Sequence, residues 1–333
     1  MPKRFAIPIL AILFVLGLYS AYWVYARGQI VQYVEDWETA QAEAGFTIEH
    51  SALRVGGFPY RFAVSAEDIV MQAPAAEGGW VLELNSFEAA AMPYDFSHWI
   101  ISIGDALQFQ QDGQGMALVS ESARFSVSGA DGVTQRIGAE ISNLTIEGLG
   151  NARAAISSIG SLRLSAANGD DANMAIRVQL DEVALAGEEI DPILIDSFGE
   201  QISRLQADFV ITQWTTLASS ADLAAWSRAE GVYSLREFHI DWGRLNMNAE
   251  GEMGLDDGLR PAGRISLNLL DPEAVVDAMI ESGAISDENS GALRLVAQTA
   301  PRGDNGTAIP LSFRNGGVYF GPVRLGQVGS IAN

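Results

Sequence analysis

Ile309-Pro310-Leu311-Ser312-Phe313-Arg314-Asn315-Gly316-Gly317-Val318-Tyr319-Phe320 decides how this chain folds. Ile309, Leu311 and Phe313 alternate with other residues, so one face of an extended strand is apolar. Asn315-Gly316 accepts positive φ at little cost, as a two-residue hairpin turn requires. Val318 and Phe320 then resume the alternation. The stretch therefore reads as an antiparallel hairpin, not as half of a βαβ unit.

The same grammar recurs outward from this hairpin. Asp-Gly or Asn-Gly pairs stand at 112–113, 131–132, 168–169, 257–258 and 305–306. Strand patterns are predicted around Phe46–Ile48, Leu53–Val55, Phe62–Val64, Ile69–Met71, Trp80–Phe87, Trp99–Ile103 and Arg124–Ser128. They continue at Ile137–Ile146, Ile159–Leu164, Met174–Leu185, Leu205–Ile211, Tyr233–Trp242, Leu245–Met253, Ile265–Leu269 and Leu293–Ala297. The expected architecture is antiparallel meanders. Helices are predicted over Asp191–Glu200, Thr215–Glu230 and Pro272–Ser282, where Asp271 is a good N-cap before a proline at the first helical position.

The N-terminus breaks this pattern. Phe5–Tyr25 is uncharged and mostly apolar. At about 1.5 Å per helical residue it can cross a hydrocarbon layer roughly 30 Å thick. Lys3 and Arg4 precede the run and Arg27 follows it, a bias that places the N-terminus in the cytoplasm. Tyr19, Tyr22, Trp23 and Tyr25 crowd its C-terminal end like an interfacial belt. A cleaved signal peptide is the competing reading, but small residues at a cleavage position are lacking. Residues 28–45 continue as a helix, with Ile30, Val31, Val34, Trp37 and Gln41 or Ala44 at helical spacing and Gly45 as its C-cap. Val34 and Trp37 are expected to pack on the following domain.

The layout is thus a cytoplasmic stub and transmembrane anchor (1–27), a juxtamembrane helix (28–45) and a periplasmic β-rich domain (46–333). The one weak division within the last falls near 190–202. The fold class is α+β, mainly β: a transmembrane helix followed by a large antiparallel sheet, curved or sandwich-like, with a few covering helices. The location is a bacterial inner membrane crossed once, with the C-terminal domain outside.

Composition removes several function classes. The net charge is −22, and about −25 without Lys3, Arg4 and Arg27. Such a surface repels nucleic-acid phosphates, so no nucleic-acid partner is expected. There are no cysteines, which excludes thiol catalysis and cysteine-ligated metals. Lys3 is the sole lysine, so the chain beyond the anchor can have no Schiff base and no P-loop lysine. His50, His98 and His239 form no short metal-binding pair, and His239 reads as a polar-face strand residue. No serine stands in G-x-S-x-G. The acids Asp170-Asp171 and Asp256-Asp257 flank glycine turns without the alternation a calcium loop needs. The expectation is no catalytic residue, no metal and no cofactor.

Gly56-Gly57-Phe58-Pro59-Tyr60-Arg61-Phe62 is the most distinctive string. Gly57, Phe58, Pro59, Tyr60 and Phe62 read either as a β-corner that seats aromatics in the core or as an aromatic lip for an acyl chain or partner peptide. Gly251–Gly263 and the ending Asn315–Gly326 are two further distinctive stretches. With the anchor, these strings resemble a family known as a domain of unknown function, found in alphaproteobacteria and their relatives. That resemblance covers nearly the whole chain and implies no reaction. A broader, architectural likeness is to AsmA-like envelope proteins, which join one N-terminal membrane helix to a long antiparallel sheet bent into a groove. That likeness implies moving or sheltering lipids, or assisting outer-membrane assembly.

Three functions follow as expectations. The first is a non-enzymatic envelope protein that meets lipid or a partner on an apolar sheet face, and is held in the bilayer by residues 5–25. It requires strands apolar on both faces, at which Val81-Leu82, Ile100-Ile101 and Leu269-Leu270 hint. The second is an interaction scaffold without a lipid site, holding an envelope protein partner. The third is an envelope hydrolase using Asp/Glu or a dispersed triad.

Overall fold

A long helix, α1 (Lys3–Glu43), leads into sheet in the computed structural model. The structure describes residues 3–331 apart from 52, 131–132, 170–171, 188, 221, 282–286, 300, 304–305 and 321–322. The Asp131-Gly132 turn and the Asp170-Asp171 pair lie outside the described residues. The anchor and juxtamembrane helices are one continuous element, because no glycine cap or proline interrupts 9–43. Gly45 does end it: with φ of 93°, its N–H bonds Ala42 O and the Phe46 N–H bonds Gln41 O, the two closures of a Schellman cap.

The chain divides into two units, 1–134 with 148–152, and 135–147 with 153–333. The first holds α1 and eight strands: β1 (Thr47–Glu49), β2 (Arg54–Gly56), β3 (Phe62–Gln72), β4 (Val81–Met92), β5 (Asp95–Ile103), β6 (Ala106–Gln111), β7 (Gln114–Val119) and β8 (Ser122–Ala130). β3 pairs with β1, β2 and β4, all antiparallel. β4 then divides its other edge, giving 87–92 to β5 and 81–84 to β6. β5 continues to β8 and β6 to β7. β6 and β7 were not predicted as strands. Their turn was legible, since Asp112 and Gly113 have φ of 53° and 74°.

Cross-strand pairing sorts this sheet into two faces. Val64, Ala89, Ile101 and Phe125 stand side by side on one face, next to the row Phe62, Ala91, Trp99 and Val127. The row between them, Ala63, Ala90, Ile100 and Ser126, faces the other way. The paired isoleucines 100 and 101 are therefore split between faces, and Ile100 is exposed.

The second unit is a consecutive meander: β9 (Val133–Leu149, in this unit over 135–147), β10 (Ile156–Asn168), β11 (Met174–Leu185), β12 (Gln201–Ile211), β13 (Tyr233–Trp242), β14 (Leu245–Leu255) and β15 (Pro261–Leu269). β16 (Arg302–Gly303), β17 (Gly306–Arg314), β18 (Gly317–Phe320) and β19 (Val323–Gln327) complete it, with β15 paired to β17. The helices are α2 (Pro192–Phe198), α3 (Trp214–Ser220), α4 (Leu223–Arg228), α5 (Pro272–Glu281) and α6 (Asp287–Thr299). The interval 190–202 is internal to this unit, because β11 and β12 pair directly across α2.

Three predicted elements differ. Val318–Leu325, which reads from sequence as one strand, is divided between the antiparallel strands β18 and β19. Thr215–Glu230 is two helices, since Asp222 accepts the Ala224 N–H at 2.8 Å and starts α4 afresh. Leu293–Ala297 is helix, not strand: Leu293 and Ala297 lie one turn apart and both are buried, whereas Leu295 is exposed.

The meander is apolar on one face across seven strands. Ile141, Leu162, Leu180, Leu205, Ile240, Met247 and Leu269 are partners in successive pairings. A second such row runs Ala139, Leu164, Val178, Ala207, Phe238, Ala249, Leu267 and Ile309. Between them lies the polar row Glu140, Arg163, Gln179, Gln206, His239, Asn248 and Asn268 on the opposite face. Ion pairs such as Arg204 to Asp181 (2.8 Å) reinforce that polar side.

At the C-terminal end, α5 and α6 cover the apolar face. Val276, Leu293 and Ala297 close a core with Leu269, Ile309 and Phe320. From Ile141 to Ile240 the first row is only half-buried. Asn143 and Glu182 take φ of 49° and 55° at matching points of β9 and β11, on either side of Gly160. Left-handed residues interrupt the pleat, so the three strands bend together along this line. A side chain at Gly160 would bring its Cβ within 2.9 Å of the Glu182 Cβ.

Leu269 and Leu270 are 1% and 61% exposed. Leu269→Ala and Ile309→Ala are each expected to lower stability by about 2–5 kcal/mol. Leu270→Ala is expected to stay within about 0.5 kcal/mol. Denaturant unfolding of the full chain in detergent reads all three.

Candidate functional site

The most distinctive string of the sequence meets α1. The Gly57 carbonyl accepts the N–H groups of Tyr60 and Arg61, both at 3.0 Å, closing a tight turn. Gly57 has φ of 96°, and a Cβ there would lie 2.6 Å from Arg61 O. Only glycine fits that position. The turn breaks the aromatic alternation expected of a strand. Phe62 alone enters the core, at 0% exposure, while Phe58 is 52% and Tyr60 81% exposed.

Pro59 supplies the carbonyl that takes the Tyr19 hydroxyl. The Tyr22 hydroxyl donates to Pro93 O at 2.8 Å, and Trp23 Nε1 donates to Arg61 O at 3.4 Å. Trp23 is buried, stacked on Phe62 with centroids 5.1 Å apart and edge-on to Phe58 at 5.4 Å. The helix therefore docks by Tyr19, Tyr22 and Trp23, three of the aromatics expected at a membrane interface, and not by its later turns alone. Tyr25 stays exposed.

The docking stripe runs Trp23, Ala26, Ile30, Val31 and Val34, then Glu38. The first four pack with Val55, Phe62 and Val64. Trp37 lies off this stripe and is exposed, contrary to expectation, because Glu38 holds the inward position and bonds His50 Nε2 at 2.8 Å.

Beside the stripe an open crevice of about 750 Å³ separates α1 from the sheet. Tyr22, Tyr25, Ala26, Ile30, Tyr33 and Val34 line its helix side. Val64, Phe87, Ala89, Phe96 and Trp99 line its sheet side. Val64, Ala89 and Trp99 belong to the apolar face described above, Phe87 extends it beside Ile103, and Phe96 lies against Phe62 with ring centroids 5.4 Å apart. Gln29, Gln32 and Asp36 are its polar contributors. A mainly apolar lining with few polar groups suits an acyl chain better than a charged metabolite.

The turn Pro93-Tyr94 and the residues Met92, Phe96 and Trp99 were not singled out from sequence. Met92-Pro93-Tyr94 offered the usable signal, a proline turn flanked by large apolar side chains. The three histidines are dispersed: His98 borders a small surface depression with Arg61 and Asp95, and His239 faces Asn248 at 2.9 Å on the polar ladder. Among the described residues no three His, Asp or Glu side chains gather as a metal site would require.

Here a helix long and apolar enough to cross a membrane is packed by its end onto an antiparallel sheet. That combination defines a class of β-rich proteins with one membrane-length N-terminal helix among the described residues. The chain belongs to the DUF2125 family, uncharacterized proteins conserved in bacteria, whose model matches residues 23–329. No curated protein matches the chain.

His50 Nδ1 faces the Ser51 carbonyl and Nε2 faces the Glu38 carboxylate, so both nitrogens meet acceptors. The Ser51 carbonyl first, and then Glu38, raise the His50 pKa above its ordinary 6.5, because only the imidazolium can donate to both. A raised folded pKa stabilises fully below the unfolded value and is lost as pH climbs through the folded one. The Tm difference between the wild type and His50→Gln is expected to be greatest below pH 6.5 and to shrink as pH rises above it. A difference independent of pH would contradict the ion pair.

Proposed function

We propose that this protein is a non-enzymatic, single-span protein of the bacterial inner membrane that accepts the acyl chains of lipids on an apolar sheet face. Its N-terminus lies in the cytoplasm, as Lys3 and Arg4 against Arg27 favour, and its β-rich part lies in the periplasm. The observation that carries the reading is the crevice between α1 and β3–β5. Tyr22 and Tyr25 on its wall fall at the end of the membrane-length apolar run. An acyl chain leaving the bilayer along α1 would meet Phe96 and Trp99, and then Ala89, Phe87 and Val64.

Energetics support that route. Each methylene moved between two apolar surroundings avoids the roughly 0.8 kcal/mol of exposure to water. The crevice offers no cationic clamp, so it would hold the chain rather than the phosphate. The second unit also carries an apolar face, backed by a polar one and not by the second apolar face expected from sequence, and its first apolar row stays half-buried from Ile141 to Ile240. This organisation agrees with the lipid-sheltering role implied by the likeness to AsmA-like proteins, an analogy of architecture alone.

The test is a photo-crosslinking residue, p-benzoylphenylalanine, placed at Phe87 or at Ser102 in the full chain in its native membrane. Ser102 pairs with Glu88 and lies on the opposite face. Crosslinked lipid at position 87 and none at 102 is the expected result. Equal yields at both positions, or none at 87, would overturn the proposal.

A further inference from the structure

The anchor is too short unless the β-rich unit sinks with it. Of the apolar run, only Phe5–Leu18 precedes the first residue fastened to the sheet: Tyr19, Tyr22 and Trp23 bind the turns at 57–61 and 92–95. Fourteen helical residues rise about 21 Å, some 9 Å less than a hydrocarbon layer of roughly 30 Å. Tilt shortens the projection further. The missing length is supplied by Tyr19–Tyr25, the segment those turns are fastened to.

We infer that the turns Gly57–Arg61 and Met92–Asp95 are immersed in the bilayer leaflet on the β-rich side, as a second membrane-binding surface beside the anchor. Their exposed side chains have the required chemistry. Tyr60 is 81% and Tyr94 85% exposed, with Phe58 and Met92 about half exposed. Tyrosine tips and apolar bodies are what an interface accepts. Neither turn contains an acid before Asp95, although the chain as a whole is strongly acidic. An immersed surface of this kind enters by about 5–10 Å, which matches the length the helix lacks.

Immersion also fixes the height of the crevice. Its mouth between Tyr22 and Phe96 would open among acyl chains, not at the headgroups. The inference rests on the proposed anchoring, but not on lipid entering the crevice.

The absence of native cysteines makes the test clean, because every introduced cysteine is unique. Nitroxide labels at Tyr60→Cys, Tyr94→Cys, Leu13→Cys and Gln114→Cys are compared in the full chain reconstituted into phospholipid vesicles. Leu13 is in the middle of the apolar run. Gln114 follows the β6–β7 turn, at the end of β4 remote from Met92. Labels at 60 and 94 are expected to relax with dissolved oxygen more than with a water-soluble nickel chelate, as at 13, and the label at 114 is expected to do the reverse.

A label at 13 in lipid with 60 and 94 in water would overturn the immersion and leave the anchoring standing. A label at 13 in water would overturn both. Protection of 60 and 94 from both relaxants, the mark of a protein contact such as a second copy, would also overturn it. The four positions are exposed, so the substitutions remove no core packing.

Discussion

The burial of Trp23 between Phe58 and Phe62 is the contact on which the first unit depends. A tryptophan on the end of an apolar helix would sit equally well at a membrane interface, facing lipid. Here it stacks on a strand residue that is wholly buried. That contact sets the rotation of α1, and the rotation selects which residues follow. Ala26, Ile30, Val31 and Val34 are carried inward at helical spacing, and Glu38 arrives opposite His50. The helix covers the sheet with one stripe only, so an apolar crevice remains along its flank. The proposed site is thus a consequence of how the helix is seated.

The second unit has a one-faced apolar sheet of its own, without a membrane-length helix. Alternation across seven consecutive strands, interrupted at bulges and at the bend, separates an apolar face from a ladder of arginine, glutamine, histidine and carboxylate side chains. Helices α5 and α6 close one end of the apolar face with leucine, isoleucine and phenylalanine. The bend at Asn143, Gly160 and Glu182 turns the strands where a flat sheet would keep its face straight. Both units therefore carry an apolar sheet face of the kind the proposed lipid-accepting role uses.

Much of this was legible because it is local. Asn315-Gly316 and Asp112-Gly113 fix their turns through their own backbone preferences, and Gly45 ends its helix by the same means. Alternation located most strands to within a few residues. What failed was ambiguous or distant. Leu293, Leu295 and Ala297 satisfy a two-residue period, yet the pairing of Leu293 with Ala297 one turn on is what packing used. At Asp257-Gly258 the left-handed residue proved to be Leu259, because the Asp256 carboxylate holds the N–H groups of Gly258 and Arg260. The docking of Tyr19 on Pro59 and Tyr22 on Pro93 joins positions 40 and 71 residues apart, and no periodicity encodes that. The string 56–62 stood out for its composition, but its role was set by a helix it could not specify.

Native mass spectrometry of the full chain, released from its own membrane in a mild detergent, tests the central claim most directly. The account predicts a population heavier by one acyl lipid, and loss of that population when Ala89→Trp fills the crevice. Bare protein alone, from the wild type as well as from Ala89→Trp, would contradict it.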